Sequence, residues 1–114
     1  MTNPATLKVS YHFQNTRNER KARIDSIING NWGSPVREVW YKDAWRIMTD
    51  AGLIFIVEPK KEIILTYYFA TPSVAAGMFQ GRVPEAIKNK VRKNAQMYLE
   101  KYGEEITQAY KIKA

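Results

Sequence analysis

The stretch that decides the fold is residues 45–68, WRIMTDAGLIFIVEPKKEIILTYY, in which two turn signals separate three apolar or β-branched runs. Residues 50–52 (Asp-Ala-Gly) can turn because glycine accepts positive φ and aspartate can bond the backbone downstream of it. Residues 58–61 (Glu-Pro-Lys-Lys) can turn because proline presets φ for a turn and cannot continue a central ladder. Runs this close together pair directly, so the pattern predicts a three-stranded antiparallel meander at about 45–49, 53–57 and 62–69.

The flanking residues extend this sheet. Residues 53–57 (Leu-Ile-Phe-Ile-Val) contain no polar side chain, which is typical of a central strand covered on both faces. Residues 36–41 predict a fourth strand, and the alternating run 7–11 predicts a fifth at an edge. A chain of 114 residues is long enough for one core, so we expect a single α+β domain over 1–114, with a loose tail at 1–6.

Two helices are expected besides the sheet. Thr16 and Glu19 have capping-box spacing, and Gly30 is a stop signal, so the pattern predicts an N-terminal helix to about residue 29 that packs on the four- or five-stranded antiparallel sheet. From Pro84 onward, apolar positions recur at three- and four-residue steps, which predicts a long C-terminal amphipathic helix over about 84–112. Gly103 disfavours its interior by about 1 kcal/mol relative to alanine, so a kink or a split there stays open.

Composition excludes several classes of function. There is no cysteine and one histidine, so disulfides, thiolate catalysis, cysteine-ligated zinc and a multi-histidine metal site within one chain are all excluded. Neither a P-loop nor a dinucleotide-binding glycine pattern occurs, and we expect no metal and no cofactor. No apolar run approaches the roughly 18 residues of a membrane span, and the N-terminus lacks the apolar core of a signal peptide. We therefore expect a cytoplasmic protein with no membrane partner.

The charge balance points to an anionic partner. The formal net charge is +7, and a basic surface attracts polyanions through steering and counterion release. Three groups gather around the predicted first helix, namely His12, Arg17 and Arg20. His12 either precedes that helix or lies in an earlier turn of a longer one. A histidine can move a proton near neutral pH, and arginine binds phosphate through two parallel hydrogen bonds.

The meander supplies further candidates. Strand alternation places Ile64, Thr66 and Tyr68 on one face, and Arg46 flanks the start of the meander. Hydroxyl groups at Thr66 and Tyr68 could orient a phosphate. If the nucleic acid is RNA, its own 2′-hydroxyl can be the nucleophile, so neither a metal nor a cysteine is needed.

Plainer interpretations exist for each of these residues. His12 between two aromatic residues fits a half-buried histidine with a backbone partner. Arg17 and Arg20, with acidic neighbours, fit a solvated helix face. Tyr68 is first of all a good strand former.

The arrangement resembles a known family. His12 lies eight residues before Arg20, the middle strand reads Gly-Leu-Ile-Phe-Ile-Val, and the last strand ends in Thr66-x-Tyr68. Over about residues 10–70 the chain is therefore similar to RelE/ParE-like toxins, of the barnase–EndoU–colicin–RelE ribonuclease fold. The resemblance implies a metal-independent endoribonuclease with His12, Arg20, Thr66 and Tyr68 as catalytic residues. It also implies an antitoxin or immunity protein as partner.

Two departures keep other functions open. The C-terminal helix is longer than the simplest members of that family need, and the charge-poor segment 70–81 has no counterpart there. One alternative is a non-catalytic accessory protein of a phage or mobile element that binds nucleic acid through Lys90 and Arg92, with Arg17 and Arg46 as further contacts. Another is a homo-oligomer or partner-binding protein that uses the C-terminal helix, whose apolar stripe is rich in tyrosine.

Overall fold

The computed structural model describes residues 1–10, 32–79 and 83–113, the last thirteen of them as backbone only. A 3₁₀ turn at Pro4–Thr6 precedes five strands, and two helices follow. The strands are β1 (Lys8–Val9), β2 (Pro35–Tyr41), β3 (Ala44–Thr49), β4 (Leu53–Val57) and β5 (Ile63–Phe69), and the helices are α1 (Pro72–Phe79) and α2 (Glu85–Lys113). The predicted N-terminal helix over residues 16–29 lies outside the described residues.

The five strands form one mixed sheet in the order β1-β5-β4-β3-β2. The predicted antiparallel meander is confirmed, since β2, β3, β4 and β5 pair consecutively in antiparallel fashion. The prediction of a wholly antiparallel sheet is wrong at one edge, where β1 runs parallel to β5 with Lys8 opposite Ile63. Parallel neighbours need a crossover of about a dozen residues or more, and here the whole meander lies between the two strands. Alternation in a sequence indicates a strand without indicating its direction.

Short turns close the meander. The β2–β3 loop consists of Lys42 and Asp43 with φ of 49° and 64°, so its backbone twist suits a two-residue hairpin. Gly52 has a φ of 82° in the β3–β4 turn, where left-handed backbone favours glycine. In the β4–β5 turn, the Glu58 carboxylate accepts two backbone N–H groups. Both turns predicted from the sequence are therefore present.

The sheet buries side chains on both faces. The Phe55 face carries Trp45, Ile47, Leu53, Phe55, Val57, Ile64, Tyr67 and Phe69. The opposite Tyr68 face carries Arg46, Met48, Ile54, Ile56, Thr66 and Tyr68. Ala75 and Phe79 of α1 pack on the Tyr68 face, whereas Tyr98 of α2 packs on the Phe55 face with its ring 4.7 Å from that of Phe69. Strand β4 is the middle strand, which confirms the prediction of a central strand covered on both sides.

A β-bulge in β5 decides which residues reach the Tyr68 face. Ile56 pairs with Thr66 while the next residue, Val57, pairs with Ile64, so Leu65 is an extra residue without a cross-strand partner. Leu65 is 37 % exposed, and Ile64 packs on the Phe55 face. Simple alternation, which grouped Ile64 with Thr66, is therefore wrong for Ile64.

Helix α2 is anchored on the β3–β4 turn. Asn94 donates a hydrogen bond from Nδ2 to the carbonyl oxygen of Asp50 at 2.8 Å, and Lys90 Nζ lies 3.3 Å from Asp50 Oδ2. The helix passes Gly52 so closely that a Cβ added there would lie 3.4 Å from the backbone nitrogen of Ala95. The helix is continuous from Glu85 to Lys113, so Gly103 does not split it.

Candidate functional site

Three of the predicted site residues lie on the Tyr68 face. The register aligns Arg46 with Ile56 and Ile56 with Thr66, and it places Tyr68 opposite Ile54 in the neighbouring row. Arg46 Nη1 donates a hydrogen bond to the Tyr68 hydroxyl oxygen at 2.6 Å. The chain therefore brings Arg46 and Tyr68 into direct contact, with Thr66 on the same face of the sheet.

Tyr68 is neutral at physiological pH. Its side chain is 7 % exposed, and burial raises its pKa above the ordinary value of 10.0. The charge and the hydrogen bond of Arg46 act in the opposite direction without reversing the shift. Tyr68 is consequently suited to holding a group by hydrogen bonding, and not to removing a proton.

Arg46 has hydrogen-bonding capacity left over. Its Nε is buried, and no hydrogen-bond partner for it occurs in the described part of the chain. The guanidinium carbon lies 4.9 Å from the centre of the Tyr41 ring, and Lys42 Nζ lies 5.2 Å from the same ring. Such contacts are favourable because a cation is attracted to the face of an aromatic ring. Tyr41 is 48 % exposed, so Arg46 and Lys42 lie beside an aromatic ring that is accessible from outside the protein.

An open pocket of about 320 Å³ adjoins this pair. Strands β2, β3 and β5 and helix α1 supply its walls, which consist of Val39, Tyr41, Arg46, Tyr68, Val74, Gly77 and Met78. Arg37 holds the α1 side of the pocket in place. Its Nε donates a hydrogen bond to the carbonyl oxygen of Met78 at 3.0 Å, which connects β2 to α1. A Cβ added to Gly77 would meet no atom within 4 Å, so the glycine faces open space.

The other predicted site residues are not part of this pocket. His12, Arg17 and Arg20 lie outside the described residues. Lys90 and Arg92 lie on α2 and do not line the pocket, with side chains 62 % and 45 % exposed. Their charges are partly matched, since Lys90 pairs with Asp50, and Arg92 Nη1 lies 3.3 Å from a carboxylate oxygen of Glu85.

A larger cleft of about 800 Å³ lies where α2 meets the β3–β4 turn. Its polar groups mainly serve one another. The Asp50 carboxylate accepts hydrogen bonds from the Ser34 backbone N–H at 2.9 Å and from Lys90. The backbone carbonyl of Asp50 accepts a hydrogen bond from Asn94. We interpret this cleft as a structural junction between helix and sheet.

Sequence reasoning missed the α1 wall and Tyr41. The segment 70–81 carries little charge, and nothing in its composition shows that residues 72–79 pack on the Tyr68 face. A signal for Tyr41 did exist, because it lies two residues after Val39 and so shares its side of β2. Pairing of β2 with β3 then places it beside Arg46.

The described ranges contain neither a candidate metal-binding cluster nor a membrane-spanning helix. Residues 1–10, 32–79 and 83–113 hold no group of three or more histidine, aspartate or glutamate side chains that could hold a metal ion. In the same ranges, no helix has the length and apolar character needed to cross a membrane.

Comparison of the chain with protein-family models, with curated proteins and with solved structures gives no match. The Arg46–Tyr68 pair and its pocket are therefore the starting point for a functional proposal.

Proposed function

We propose that the protein is a metal-independent endoribonuclease of the bacterial toxin type, which binds a phosphodiester of RNA at the Tyr68 face. The observation that carries the proposal is the 2.6 Å hydrogen bond between Arg46 and Tyr68 beside an open pocket. A net charge of +7 supports an anionic substrate. The resemblance to RelE/ParE-like toxins supports RNA as that substrate.

The proposed reaction needs only a base, an acid and charge neutralisation. The 2′-hydroxyl of one nucleotide attacks the adjacent phosphorus and gives up its proton to a general base, for which His12 is the candidate. The bond from phosphorus to the 5′-oxygen breaks, that oxygen takes up a proton from water, and a 2′,3′-cyclic phosphate remains. Arg46 and Arg20 neutralise the charge that develops on the phosphate oxygens, while Thr66 and neutral Tyr68 orient the phosphate.

The direct test is cleavage of end-labelled single-stranded RNA in the presence of EDTA, with identification of the cyclic phosphate. We expect Arg46→Ala, His12→Ala and Arg20→Ala each to reduce the rate by about a hundredfold or more, as loss of a transition-state donor does. Lys93→Ala is the matched control, because Lys93 is an exposed cation on α2 away from the pocket. Circular dichroism establishes that each variant is folded.

Two results would contradict the proposal. The first is an absence of cleavage by the unaltered protein across a set of structured and unstructured RNAs. The second is a folded Arg46→Ala variant that cleaves at the same rate as the Lys93→Ala control.

A second candidate function is nucleic-acid binding without cleavage, through α2. It is favoured by the exposure of Lys90 and Arg92 on one helix. In this case Lys90→Glu with Arg92→Glu abolishes binding, and the logarithm of the affinity of the unaltered protein falls linearly with the logarithm of salt concentration. Retained binding by the doubly reversed variant would exclude α2 as the contact surface.

Partners remain part of the proposal. A toxin requires an antitoxin or immunity protein, and co-purification from a host that carries the neighbouring genes would reveal one. Fewer apolar side chains of α2 are available for self-association than the sequence indicates, because Tyr98 packs inside the protein against Phe69. Sedimentation at several concentrations would measure it.

A further inference from the structure

We propose that the pocket between α1 and the sheet binds one unpaired nucleobase of the RNA, and that Arg46 selects a keto base, guanine or uracil, over adenine and cytosine. The inference rests on the proposed function, because it names the part of the substrate that enters the same site.

The walls suit a base better than a phosphate. Val39, Val74 and Met78 are apolar, and the pocket volume of about 320 Å³ holds one small planar group. A phosphate inside such walls would lose hydration without enough hydrogen bonds to replace it, so in this proposal the phosphate stays at the mouth of the pocket while the base enters it. Arg46 can contact both, because a guanidinium has five N–H donors. A nucleobase has an apolar face for such walls and a polar edge for one charged group, the usual division in ligand pockets.

The depth of the pocket depends on Gly77. Glycine inside a helix is unfavourable by about 0.5–1 kcal/mol relative to alanine, so its presence needs a reason. Backbone conformation does not supply one, because the glycines with positive φ in the described residues are Gly33 and Gly52. Space does supply one, because Gly77 lines the pocket and an added Cβ would meet no atom within 4 Å.

The polar groups decide which base fits. Among the described residues that line the pocket, Arg46 is the only charged one, and a guanidinium donates hydrogen bonds without accepting any. The Met78 carbonyl already accepts from Arg37. Guanine presents two acceptors, O6 and N7, and uracil presents O4 as thymine does. Adenine shares the N7 acceptor, but adenine and cytosine both carry an amino donor in place of the keto oxygen. Donor against donor is unfavourable, so a keto base is selected.

The rim offers a stacking surface. Tyr41 is half exposed and lines the same pocket, and Arg46 and Lys42 lie close to its ring. Base–aromatic stacking tolerates any base, and it adds affinity for single strands without contributing to the choice among them. Selection therefore depends on Arg46, and general affinity on Tyr41.

The test is binding of fluorescent 2′-O-methyl RNA octamers, which lack the nucleophile and stay intact. Each octamer consists of adenine and cytosine except at one central position, which is guanine, uracil, adenine or cytosine. We expect fluorescence anisotropy to show binding at least about fivefold tighter, and up to about 150-fold, for guanine or uracil, as one good base contact provides.

A pocket-filling variant links the preference to the site. Gly77→Leu places a side chain in the pocket without a clash and should reduce the keto preference to less than about twofold, since the base then loses its contact with Arg46. Ala76→Leu is the matched control, because Ala76 is the neighbouring exposed position on α1 and does not line the pocket. It should retain the full preference, and thermal melting shows that both variants are folded.

The outcomes separate the two proposals. Equal binding of all four octamers, or an unchanged preference in folded Gly77→Leu, overturns the base pocket even if ribose RNA is cleaved. A keto preference that Gly77→Leu removes supports the pocket, and in that case failure to cleave the matching ribose octamers overturns only the ribonuclease function.

Discussion

The hydrogen bond between Arg46 and Tyr68 predicts a specific pattern of stabilities in a double-mutant cycle. Tyr68→Phe keeps the ring and removes the hydroxyl that accepts from Arg46 Nη1 at 2.6 Å. A hydrogen bond to a charged group contributes about 1.5–3 kcal/mol. Because Arg46 is half-buried, water can replace part of the lost bond, so the lower figure applies. We expect Tyr68→Phe to lower the free energy of unfolding by about 1.5 kcal/mol.

The second arm of the cycle is Arg46→Met, which keeps an unbranched apolar side chain and removes the charge. Its cost should also be about 1.5 kcal/mol, because the same charge-assisted hydrogen bond is lost. The double variant leaves no unsatisfied guanidinium, so its cost should be close to that of Arg46→Met alone. The coupling between the two sites is then about 1.5 kcal/mol, the amount by which the two single costs exceed the double one.

Urea denaturation followed by tryptophan fluorescence measures all four proteins. With a slope of about 1–3 kcal/mol per molar urea, the expected loss in Tyr68→Phe shifts the midpoint by about 0.5–1.5 M. A coupling below about 0.3 kcal/mol, which is within the additivity of independent sites, would show that the two groups do not interact and would refute the reasoning.

The same residue predicts an alkaline effect. The pKa of Tyr68 is raised by burial above the value of 10.0 that it has in the unfolded chain, so the unfolded chain loses its proton first as pH rises. The stabilisation that Tyr68 provides is fully present below pH 10 and is lost as pH rises through the folded pKa. Tyr68→Phe should therefore lose less stability than the unaltered protein as pH rises above 10.0.

Three further predictions concern other parts of the sheet and α1. Gly33→Ala should lower the free energy of unfolding by at least about 2 kcal/mol, because left-handed backbone is unfavourable for alanine and the added Cβ would lie 2.7 Å from Asp50 Oδ1. Urea denaturation midpoints measure this loss, and a loss under about 0.5 kcal/mol would contradict the prediction. Glu38→Gln should flatten the decline of stability below pH 4.5. Burial raises the pKa of Glu38, but hydrogen bonds from Lys61 and from a backbone N–H lower it more, so the pKa lies below 4.5. The stability that this carboxylate provides above pH 4.5 is therefore lost as the pH falls. If urea titrations show the same decline of stability in acid for Glu38→Gln and the unaltered protein, the prediction is wrong. Gly77→Ala should stabilise by about 0.5–1 kcal/mol in thermal unfolding, because alanine favours the helix and meets no neighbour, and destabilisation would show that the space is not open.

Local signals predicted the meander well. The turns at Gly52 and at residues 58–61 form as expected, because the conformational preferences of glycine and proline are properties of single residues. The Asp50 carboxylate, which was expected to bond the backbone downstream of it, accepts instead from the Ser34 backbone N–H. The direction of β1 and the bulge at Leu65 were not predictable. Both depend on pairing across the sheet, and adjacent residues do not reveal which edge a strand joins or where an extra residue is accommodated.

In the candidate site too, features set by adjacent residues were predictable from the sequence, and features set by tertiary packing were not. Strand alternation predicted that Thr66 and Tyr68 share a face, and Arg46 was a candidate because it flanks the start of the meander. The structure places all three on one face. The contact between Arg46 and Tyr68, and the wall that Gly77 and Met78 add, follow from where α1 docks. That docking is set by the tertiary fit of Ala75 and Phe79 into the apolar part of the Tyr68 face, which no periodicity in segment 70–81 reveals.

The parallel edge strand has a consequence for how the protein opens. Each pair in the β2–β5 meander closes a loop of a few residues, whereas the contact between Ser10 and Leu65 spans 55 positions along the chain. The entropic cost of closure grows with loop length, and β1 contributes only two residues to the ladder. The amides of β1 should therefore exchange with deuterium sooner than those of β4. Arg46 and Tyr68 lie in β3 and β5, which both pair with β4, so we expect release of the N-terminal edge to leave the Arg46 pocket intact.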